Sequence, residues 1–378
     1  MALPTCVSWS RFADVRLLVA GGGTGGHLFP GIAIADEVVL RAGGEVLFVG
    51  TSRGIETRAV PAAGYALETL SVSGLKRMGI LGTLRGLYRL PLAIAKSFSI
   101  LRRFRPDIVV GVGGYASGPM VLAAALSGYP TAIQEQNSVP GITNRILGKL
   151  VRVVFIAFED AGRFFPAWKV ERLGNPVRKT IVDALARMDG LSSAGEKLRI
   201  LVVGGSQGAR AVSELVAAAA AVLARDGFDF SLVHQTGTAD LERIQERYRA
   251  LRLDRHIDVR PFIEDMATAY AQADMVVARA GALTLAELAI AGKPAILIPL
   301  PTAADDHQTK NAACFADAGA AVVYDQCRAS AADLAAALGE LARDRPRRTT
   351  MGVAMRGLAR PRAAEAIVNR LATMIRKR

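Results

Sequence analysis

Two glycine-rich loops in this sequence of 378 residues have the composition of a phosphate-binding turn. The first is GGGTGGH at residues 21–27, and the second is GGSQGAR at residues 204–210. Each follows an apolar run typical of a buried strand and precedes a helix-like stretch, so that its backbone N–H groups and a helix N-terminus attract an anion. The loops align without a gap at an offset of 183 residues, which indicates a repeat at domain scale. A simple tight turn is the alternative for either loop alone, and the paired occurrence argues against it.

Three further features could carry chemistry in the first half. His27 follows the first loop, where an imidazole beside a bound phosphate could accept a proton or donate a hydrogen bond; the alternative is a helix cap. A third glycine loop, GVGGYASGP at residues 111–119, could hold a phosphate or pyrophosphate through its backbone. Glu135 and Asn137 end another predicted strand, at the edge where ligands gather. Glu135 is therefore a second candidate base or a structural hydrogen-bonding partner.

The second half offers matching groups. The segment RAGALTLAE at residues 279–287 predicts a strand, a glycine turn and a helix start, with N–H groups that point to an anion. Glu287 lies one turn into that helix, where its carboxylate could accept both hydroxyls of a ribose. The segment DDHQTKNA at residues 305–312 is a further loop-to-helix entry that is rich in sugar-binding groups.

The first loop also satisfies the dinucleotide pattern Gly-x-Gly-x-x-Gly, which makes an NADP-dependent oxidoreductase an alternative. A dinucleotide site needs a carboxylate at the end of the second strand to hold the ribose hydroxyls. The predicted strand at 45–49 is followed by Gly50-Thr51-Ser52-Arg53, in which only Arg53 could meet a 2′-phosphate. This interpretation leaves the second glycine loop unexplained. A basic sugar-nucleotide or membrane-binding module without catalysis is the other alternative, and His27 argues against it.

Apolar runs alternate with helical patterns along the whole chain, which predicts parallel sheets covered on both faces. Turn residues predict a linker at 172–178. We therefore expect a disordered extension at 1–14 without a signal peptide, a first domain at 15–177 and a second at 178–360. A basic amphipathic helix at 361–376 could pack back on the first domain. Predicted strands lie at 15–20, 45–49, 66–70, 107–111, 130–134, 152–156, 198–203, 230–235, 257–260, 275–277, 294–298 and 321–324. Predicted helices lie at 28–42, 54–62, 83–104, 118–127, 142–150, 208–225, 239–251, 263–272, 283–291, 307–318 and 331–343.

Composition excludes several classes of protein. Apolar residues are 51% and charged residues 21%, which is typical of a globular chain, and the three cysteines form no Cys-x-x-Cys pair that would predict a zinc site. The net charge of +13 indicates anionic partners. No acidic residue occurs at 69–106, where basic and large apolar side chains interleave as in a segment that binds an anionic bilayer, although a solvated basic helix is the alternative. The uncharged stretch 108–134 contains too many glycines for a membrane span.

Eight blocks in a fixed order resemble the MurG family of bacterial peptidoglycan glycosyltransferases across residues 15–320. They are GGGTGGHLFP, GVGGYASGP, EQN, GNPVR, GGSQGAR, PFIEDM, RAGALTLAEL and DDHQTKNA. The resemblance implies the GT-B fold, in which two Rossmann-like α/β domains with parallel sheets face each other across a cleft. It implies inverting transfer of N-acetylglucosamine from UDP-N-acetylglucosamine to the 4-hydroxyl of the muramyl sugar of undecaprenyl-pyrophosphoryl-N-acetylmuramyl-pentapeptide, which converts lipid I to lipid II. The second domain would hold the donor and the first the lipid-linked acceptor.

The residues and the resemblance together give the candidate site residues, and the donor contacts among them are what the resemblance implies. His27 is the first candidate base and Glu135 the second, and Gly113, Gly114 and Tyr115 are candidates for the acceptor pyrophosphate. We expect no metal or other cofactor, because no Asp-x-Asp motif occupies a suitable loop and Asp305-Asp306 reads as a helix start. The expected location is peripheral, on the cytoplasmic face of the bacterial inner membrane through residues 69–106, without nucleic acid as a partner. The expected donor contacts are Thr24, Gly25, Gly26, Asn137, Arg178, Ser206, Ile263, Ala282, Leu283, Thr284, Leu285, Ala286, Glu287 and Gln308.

Overall fold

The computed structural model describes residues 14–72, 80–188, 197–205 and 208–375, with the backbone alone for 80–89. The predicted disordered extension lies almost entirely outside the described residues, as does Ser206. The chain divides into two compact units. The first comprises residues 1–179 together with 360–378, and the second comprises residues 180–359.

The first unit is built on a seven-stranded sheet in the order β3-β2-β1-β4-β5-β6-β7, and all its pairings are parallel. Its strands are β1 (Arg16–Gly21), β2 (Glu45–Thr51), β3 (Ala66–Leu70), β4 (Ile108–Gly113), β5 (Thr131–Glu135), β6 (Val153–Ile156) and β7 (Val170–Arg172). Its helices in this part of the chain are α1 (Gly25–Ala42), α2 (Glu56–Ala62), α3 (Ile80–Phe104), α4 (Ser117–Leu126) and α5 (Ile142–Leu150).

The second unit repeats the arrangement with six parallel strands in the order β10-β9-β8-β11-β12-β13. Its strands are β8 (Leu198–Val203), β9 (Phe230–Gln235), β10 (Ile257–Arg260), β11 (Met275–Ala278), β12 (Ala295–Leu297) and β13 (Ala321–Val323). Its helices are α6 (Lys179–Arg187), α7 (Arg210–Arg225), α8 (Leu241–Ala250), α9 (Met266–Gln272), α10 (Ala282–Ala291), α11 (His307–Asp317), α12 (Ala331–Arg343) and α13 (Arg345–Gly357). The last helix, α14 (Ala363–Ala372), belongs to the first unit.

Strand β1 shows why the first sheet is buried on both sides. Leu17 and Val19 point to a core shared with α1 and α14, whereas Leu18 and Ala20 point to a core shared with α3 and α4. All four side chains are fully buried, and a buried leucine or valine stabilises the fold by about 1.5–3 kcal/mol. A strand with two dry faces needs a continuous apolar run, which is what the sequence carries here.

Each sheet has a switch point that determines where a ligand can bind. The chain adds β2 and β3 on one side of β1 and then crosses to add β4 on the other, and the helices that follow β1 and β4, α1 and α4, pack on opposite faces of the sheet. Strand β8 occupies the same position between β9 and β11. Open α/β sheets bind ligands at such points. The first and third glycine loops follow β1 and β4, and the second follows β8.

The predicted strands and helices are present, and three observed elements were not predicted. The alternation of strand, glycine loop and helix at 108–134 is confirmed by β4, α4 and β5. Strand β7 and helices α6 and α13 were missed, and the boundary between the units lies at 179/180, just after the predicted linker. Helix α13 contains Pro346, four arginines and two glycines in thirteen residues, a composition typical of a loop. Asp344 nevertheless caps its N-terminus by accepting from the N–H of Arg347.

Candidate functional site

The first and third glycine loops are in direct contact. The N–H of Gly22 donates to the carbonyl of Gly113 at 3.2 Å. A side chain at Gly114 would place its Cβ 2.4 Å from the carbonyl oxygen of Gly22, and Gly114 also has a positive φ of 83°. Only glycine fits this approach. The two loops therefore form one continuous backbone surface at the carboxyl edge of the sheet.

Helix α1 begins at this surface, three residues earlier than predicted. Thr24 is its N-cap residue, is exposed, and makes no side-chain capping hydrogen bond. Gly26 is also exposed, whereas Gly25 is buried. The first turn of α1 thus presents backbone N–H groups and the positive end of the helix dipole beside the loop, which is the arrangement that binds phosphate.

Glu56, which no sequence motif singled out, holds the first glycine loop in place. Its side chain is fully buried; Oε2 accepts from the N–H of Gly23 at 2.7 Å, and Oε1 accepts from the N–H and hydroxyl of Thr51 at 2.8 and 2.7 Å. Burial opposes ionisation, but these hydrogen bonds outweigh it and lower the pKa of Glu56. A carboxylate does reach the end of β2, from α2, and it holds the glycine loop.

His27 lies on the first turn of α1 and is partly exposed. Its Nδ1 is 3.1 Å from Oε1 of Gln136, the residue that follows β5. Gln136 is buried, and its Nε2 donates to the carbonyl oxygens of Val112 at 3.0 Å and Gln134 at 3.3 Å. The ring is therefore oriented by Gln136, which is itself held by the backbone of two neighbouring strands, β4 and β5.

Glu135 is 1% exposed and is surrounded by donors. It accepts from the backbone N–H of Asn137 at 2.9 Å and from the side-chain amide of Asn144 at 2.8 Å. Burial raises the pKa of Glu135 to about 7, although these hydrogen bonds act against the shift. A carboxyl group held in this way fixes the position of Asn137. The contacts favour this supporting role over proton transfer, and the assignment of Glu135 as a base stays a hypothesis.

The remaining candidates of the first unit have different surroundings. Tyr115, in the third loop, has an exposed fraction of 57%. The guanidinium of Arg178 lies 4.8 Å from the ring centroid of Phe29 on α1. Its charge lowers the pKa of Asp36, although burial, the largest effect, leaves that pKa raised overall. Arg178 is therefore held against α1 by its ring contact, with a carboxyl group nearby.

In the second unit, Gln235 at the end of β9 ties two candidate segments together. It is buried, its Nε2 donates to the carbonyl of Gly205 at 3.2 Å, and its Oε1 accepts from the N–H of Ile263 at 3.0 Å. Because this N–H already donates to Gln235, Ile263 can contact a nucleobase only through its carbonyl oxygen or its side chain. Gln235 was missed because nothing in its local pattern distinguishes it from other strand-end residues.

The segment from Ala282 to Glu287 forms the start of α10, with Gly281 as its N-cap. Leu283, Thr284 and Ala286 are partly exposed, whereas Ala282, Leu285 and Glu287 are buried. Leu285 has no exposed area, and its N–H donates to the carbonyl of Gly281 at 3.0 Å. Glu287 accepts from the hydroxyl of Tyr270 at 3.0 Å. Burial, together with this carboxylate, raises the pKa of the Tyr270 hydroxyl, which therefore stays a donor that orients Glu287.

Arg279, which was not among the predicted site residues, holds the loop after β12 by hydrogen bonds. Arg279 is 8% exposed, and its guanidinium donates to the carbonyl oxygens of Ile298 at 2.9 Å and Pro299 at 3.0 Å. Further along, Gln308 accepts from the N–H of Leu300 at 3.0 Å at the start of α11. These bonds fix the loop after β12 against the start of α11, where Gln308 lies.

Several described residues of the predicted membrane segment 69–106 pack or pair within the first unit. Ile100 and Leu101 lie in the core, Lys96 donates to the carbonyl of Thr69, and Arg103 pairs with Glu68. Exposed apolar side chains remain at Leu90 and Leu92. Residues 73–79 and the side chains of 80–89 lie outside the described residues. Across the helices that the structure describes, none combines the length and apolar character that a membrane crossing requires.

In the described parts of the chain, no group of three or more His, Cys, Asp or Glu side chains is arranged to hold a metal ion. The pair Asp305-Asp306 precedes α11, with positive φ values of 53° and 54°. The expected independence from metal stays a prediction.

Comparison with known proteins identifies the protein family to which this chain is related. The model of the glycosyltransferase family 28 N-terminal domain matches residues 17–156, and that of the C-terminal domain matches residues 199–367. A relative in Myxococcus xanthus, named UDP-N-acetylglucosamine–N-acetylmuramyl-(pentapeptide) pyrophosphoryl-undecaprenol N-acetylglucosamine transferase, is 50% identical over 356 residues, which cover 94% of this chain and 92% of the relative. The chain belongs to glycosyltransferase family 28. A relative of the same name in Anaeromyxobacter dehalogenans is 49% identical over 365 residues, covering 96% and 94% of the two chains.

The solved structures agree with this family 28 assignment. The crystal structure of MurG from Acinetobacter baumannii is 33% identical, with a TM-score of 0.77 and coverage of 95% of this chain and 100% of that one. A UDP-GlcNAc 2-epimerase from Neisseria meningitidis, 13% identical with a TM-score of 0.67, shares the fold alone; it covers 95% and 100% of the two chains. The predicted MurG resemblance, glycosyltransferase class and GT-B fold class are confirmed, and the oxidoreductase and the non-catalytic module are both set aside.

Proposed function

We propose that this protein transfers N-acetylglucosamine from UDP-N-acetylglucosamine to the 4-hydroxyl of the muramyl sugar of undecaprenyl-pyrophosphoryl-N-acetylmuramyl-pentapeptide, in bacterial peptidoglycan synthesis. The observation that carries the proposal is the 50% identity, over nearly the full length of both chains, with a relative that bears the name of this transferase. The order of the sequence motifs and the contacts around His27 and Glu287 support it.

The chemical step requires a base and a stabilised leaving group. As the acceptor oxygen forms a bond to C1 of the sugar on one face, the bond from C1 to the diphosphate oxygen breaks on the other, and the configuration inverts. We assign the acceptor proton to His27, whose imidazole is oriented by Gln136. The departing UDP takes the electron pair, and helix N-termini together with Arg178 stabilise its negative charge.

The donor would be recognised mainly by the second unit. In this proposal, the segment from Ala282 to Glu287 holds the donor phosphate and ribose. The first-turn N–H groups of α10 bind phosphate, and Glu287 accepts from the ribose hydroxyls. The carbonyl oxygen of Ile263 meets the uracil and Gln308 meets the sugar. The other expected donor contacts are Ser206 in the second unit and Thr24, Gly25, Gly26, Asn137 and Arg178 in the first. Glu287 suits its role because Tyr270 holds the carboxylate in one orientation.

The acceptor would be recognised by the first unit. The backbone N–H groups of Gly113, Gly114 and Tyr115 are placed in a loop that can bind its pyrophosphate. The acid-free segment 69–106 would dock on anionic lipid at the cytoplasmic face of the inner membrane, which brings the protein to a lipid-linked substrate. No nucleic acid enters the proposal.

The test uses the purified full chain with a soluble short-chain analogue of the acceptor. We expect release of UDP and formation of the disaccharide product with UDP-N-acetylglucosamine, much slower turnover with UDP-glucose, and no binding of NADPH by titration calorimetry. EDTA should leave the rate unchanged. Equal turnover of both donors would reject the donor assignment, and absence of product with any muramyl acceptor would reject the function.

A further inference from the structure

The hydrogen bonds of Gln136 leave no choice about how its amide is oriented. Its Nε2 lies 3.0 Å from the carbonyl oxygen of Val112 and 3.3 Å from that of Gln134. Carbonyl oxygens only accept, so this end of the side chain must be the amide NH₂ group. The other end, Oε1, therefore lies 3.1 Å from Nδ1 of His27.

An amide oxygen also only accepts, so Nδ1 of His27 must carry a hydrogen. A neutral imidazole with its hydrogen on Nδ1 has its lone pair on Nε2. We propose that Gln136 is a positioning residue that selects this tautomer and directs Nε2 of His27 toward the acceptor hydroxyl. The part that concerns the acceptor rests on the proposed function, whereas the tautomer does not.

The same contact serves both protonation states of the ring. When Nε2 takes the acceptor proton, both ring nitrogens become donors, and Oε1 of Gln136 continues to accept from Nδ1 without rearrangement. Gly113 keeps the ring against the backbone, since a Cβ there would lie 2.9 Å from Nδ1. A preoriented base of this kind needs no reorganisation during the reaction.

Histidine ¹⁵N NMR on the full chain tests the tautomer directly. We expect wild-type His27 to have an unprotonated Nε2 and a protonated Nδ1 when neutral, and Gln136→Met to shift it toward the Nε2–H tautomer that free histidine prefers. Gln134→Met is the matched control, because Gln134 is equally buried and donates to the carbonyl of Gly174 but does not contact His27. An Nε2–H tautomer in the wild type, or an unchanged tautomer in Gln136→Met, would overturn the proposal.

Kinetics separate this role from a structural one. Gln136→Met should lower kcat by about 10²–10⁴-fold, the usual contribution of a general base, with the donor KM within about twofold of the parent. Gln134→Met should lose stability without this loss of kcat. If the tautomer shifts in Gln136→Met while His27→Ala retains full kcat, the base assignment fails and the orientation by Gln136 stands. An unchanged kcat in Gln136→Met alongside a large loss in His27→Ala would reject the positioning role.

A second observation lies at the opposite edge of the second sheet. A cavity of about 520 Å³ is formed there by the residues that precede β8, β9, β11 and β12 and by one face of α13. All of it belongs to the second unit. The glycine loops follow the carboxyl ends of the strands, so this cavity, at their amino ends, is separate from the proposed donor site.

The cavity is strongly positive. Seven cationic side chains line it against two acidic ones, and both acids already have basic partners. Asp274 accepts from Arg199 at 2.8 and 3.1 Å, and Asp229 lies 3.7 Å from Lys197. Arg343 and Arg345 are exposed at the rim, so the excess positive charge is directed to solvent.

The walls of the cavity are rigid. A Cβ at Gly352 would lie 2.8 Å from the carbonyl oxygen of Gly292, so α13 packs as closely as its backbone permits. Arg348 donates to the carbonyl oxygens of Leu341 and Ala342, which fixes its side chain. Several guanidinium groups around a concave site favour a ligand with several phosphate oxygens. We infer that this cavity binds a phosphate-bearing anion.

Calorimetry of the full chain with inorganic pyrophosphate, in saturating UDP to fill the donor site, tests the inference. Arg343→Ala/Arg345→Ala should weaken binding by about tenfold or more, since two charge-assisted contacts are removed. Arg347→Ala is the matched control, because it lies on the same helix outside the cavity lining and should bind like the parent.

Sedimentation with phosphatidylglycerol–phosphatidylcholine vesicles distinguishes the source of the phosphate. Loss of pyrophosphate binding alone in the double variant identifies a free phosphate ligand, and loss of vesicle binding alone identifies a lipid headgroup. If the double variant and Arg347→Ala bind both probes as the parent does, the cavity is not a phosphate site.

Discussion

Replacing Glu56 with glutamine tests how the first glycine loop is held. In the parent, both carboxylate oxygens of Glu56 face N–H donors, from Gly23 at 2.7 Å and Thr51 at 2.8 Å. A glutamine keeps the shape but must point its NH₂ group at one of these donors, whichever way it is turned. The substitution therefore removes a charge-assisted hydrogen bond and leaves a partly buried donor without an acceptor.

The expected cost follows from these two losses. A hydrogen bond to a charged group contributes about 1.5–3 kcal/mol, and an unsatisfied buried donor costs about 1–3 kcal/mol. We expect Glu56→Gln to lower the free energy of unfolding of the first unit by about 2.5–6 kcal/mol, equivalent to a fall in Tm of roughly 5–24 °C. Urea denaturation at neutral pH, followed by circular dichroism, measures this loss. Glu246→Gln, at an exposed position on α8, is the control and should change stability by about 0.5 kcal/mol or less.

The pH dependence provides a second readout. Because the folded-state pKa of Glu56 is below its ordinary value of 4.5, the carboxylate's contribution is complete above that value and is lost as the pH falls through the folded-state pKa. The gap in stability between parent and Glu56→Gln should therefore narrow under acid. Equal stability of the two proteins at neutral pH, or a gap that does not narrow in acid, would refute the role given to this carboxylate.

Three further results are expected. His27→Ala should lower kcat by about 10²–10⁴-fold with a loss of stability of only about 1 kcal/mol, and a raised donor Kd with kcat retained would instead make His27 a diphosphate ligand. Glu287→Ala should raise the donor KM at least about tenfold, because a charge-assisted hydrogen bond contributes about 1.5–3 kcal/mol; an unchanged donor affinity by titration would contradict this. Replacing Arg85, Arg89 and Arg102 with glutamate should abolish sedimentation with anionic vesicles but spare activity on a soluble acceptor, since each basic residue at the surface contributes about 1 kcal/mol; unaltered sedimentation would reduce the segment to a solvated face.

The sequence by itself determined the order of strands and helices, the two sheets and the glycine loops. These features are local: continuous apolar runs such as LLVA and ILVV can only be strands with two dry faces, and glycine is needed where a loop turns sharply beneath a helix N-terminus. Exposed elements with weak helix or strand propensity were not predicted, because their local sequence carries no such signal. Helix α13 is stabilised by the Asp344 cap and by packing against Gly292, neither of which is visible in its arginine-rich sequence.

Only the tertiary structure determined which polar groups act together. Glu56 reaches Gly23 across 33 residues, and Gln136 reaches His27 across 109, because the parallel sheet brings the carboxyl ends of neighbouring strands to one edge. Glu135 appeared as a candidate base in the sequence because a carboxyl group follows a strand there. In the structure this carboxyl group is buried and accepts hydrogen bonds from Asn137 and Asn144, and these contacts depend on the packing of α5 against β5. Side-chain chemistry is written in the sequence, but protonation and orientation are set by neighbours that are distant along the chain.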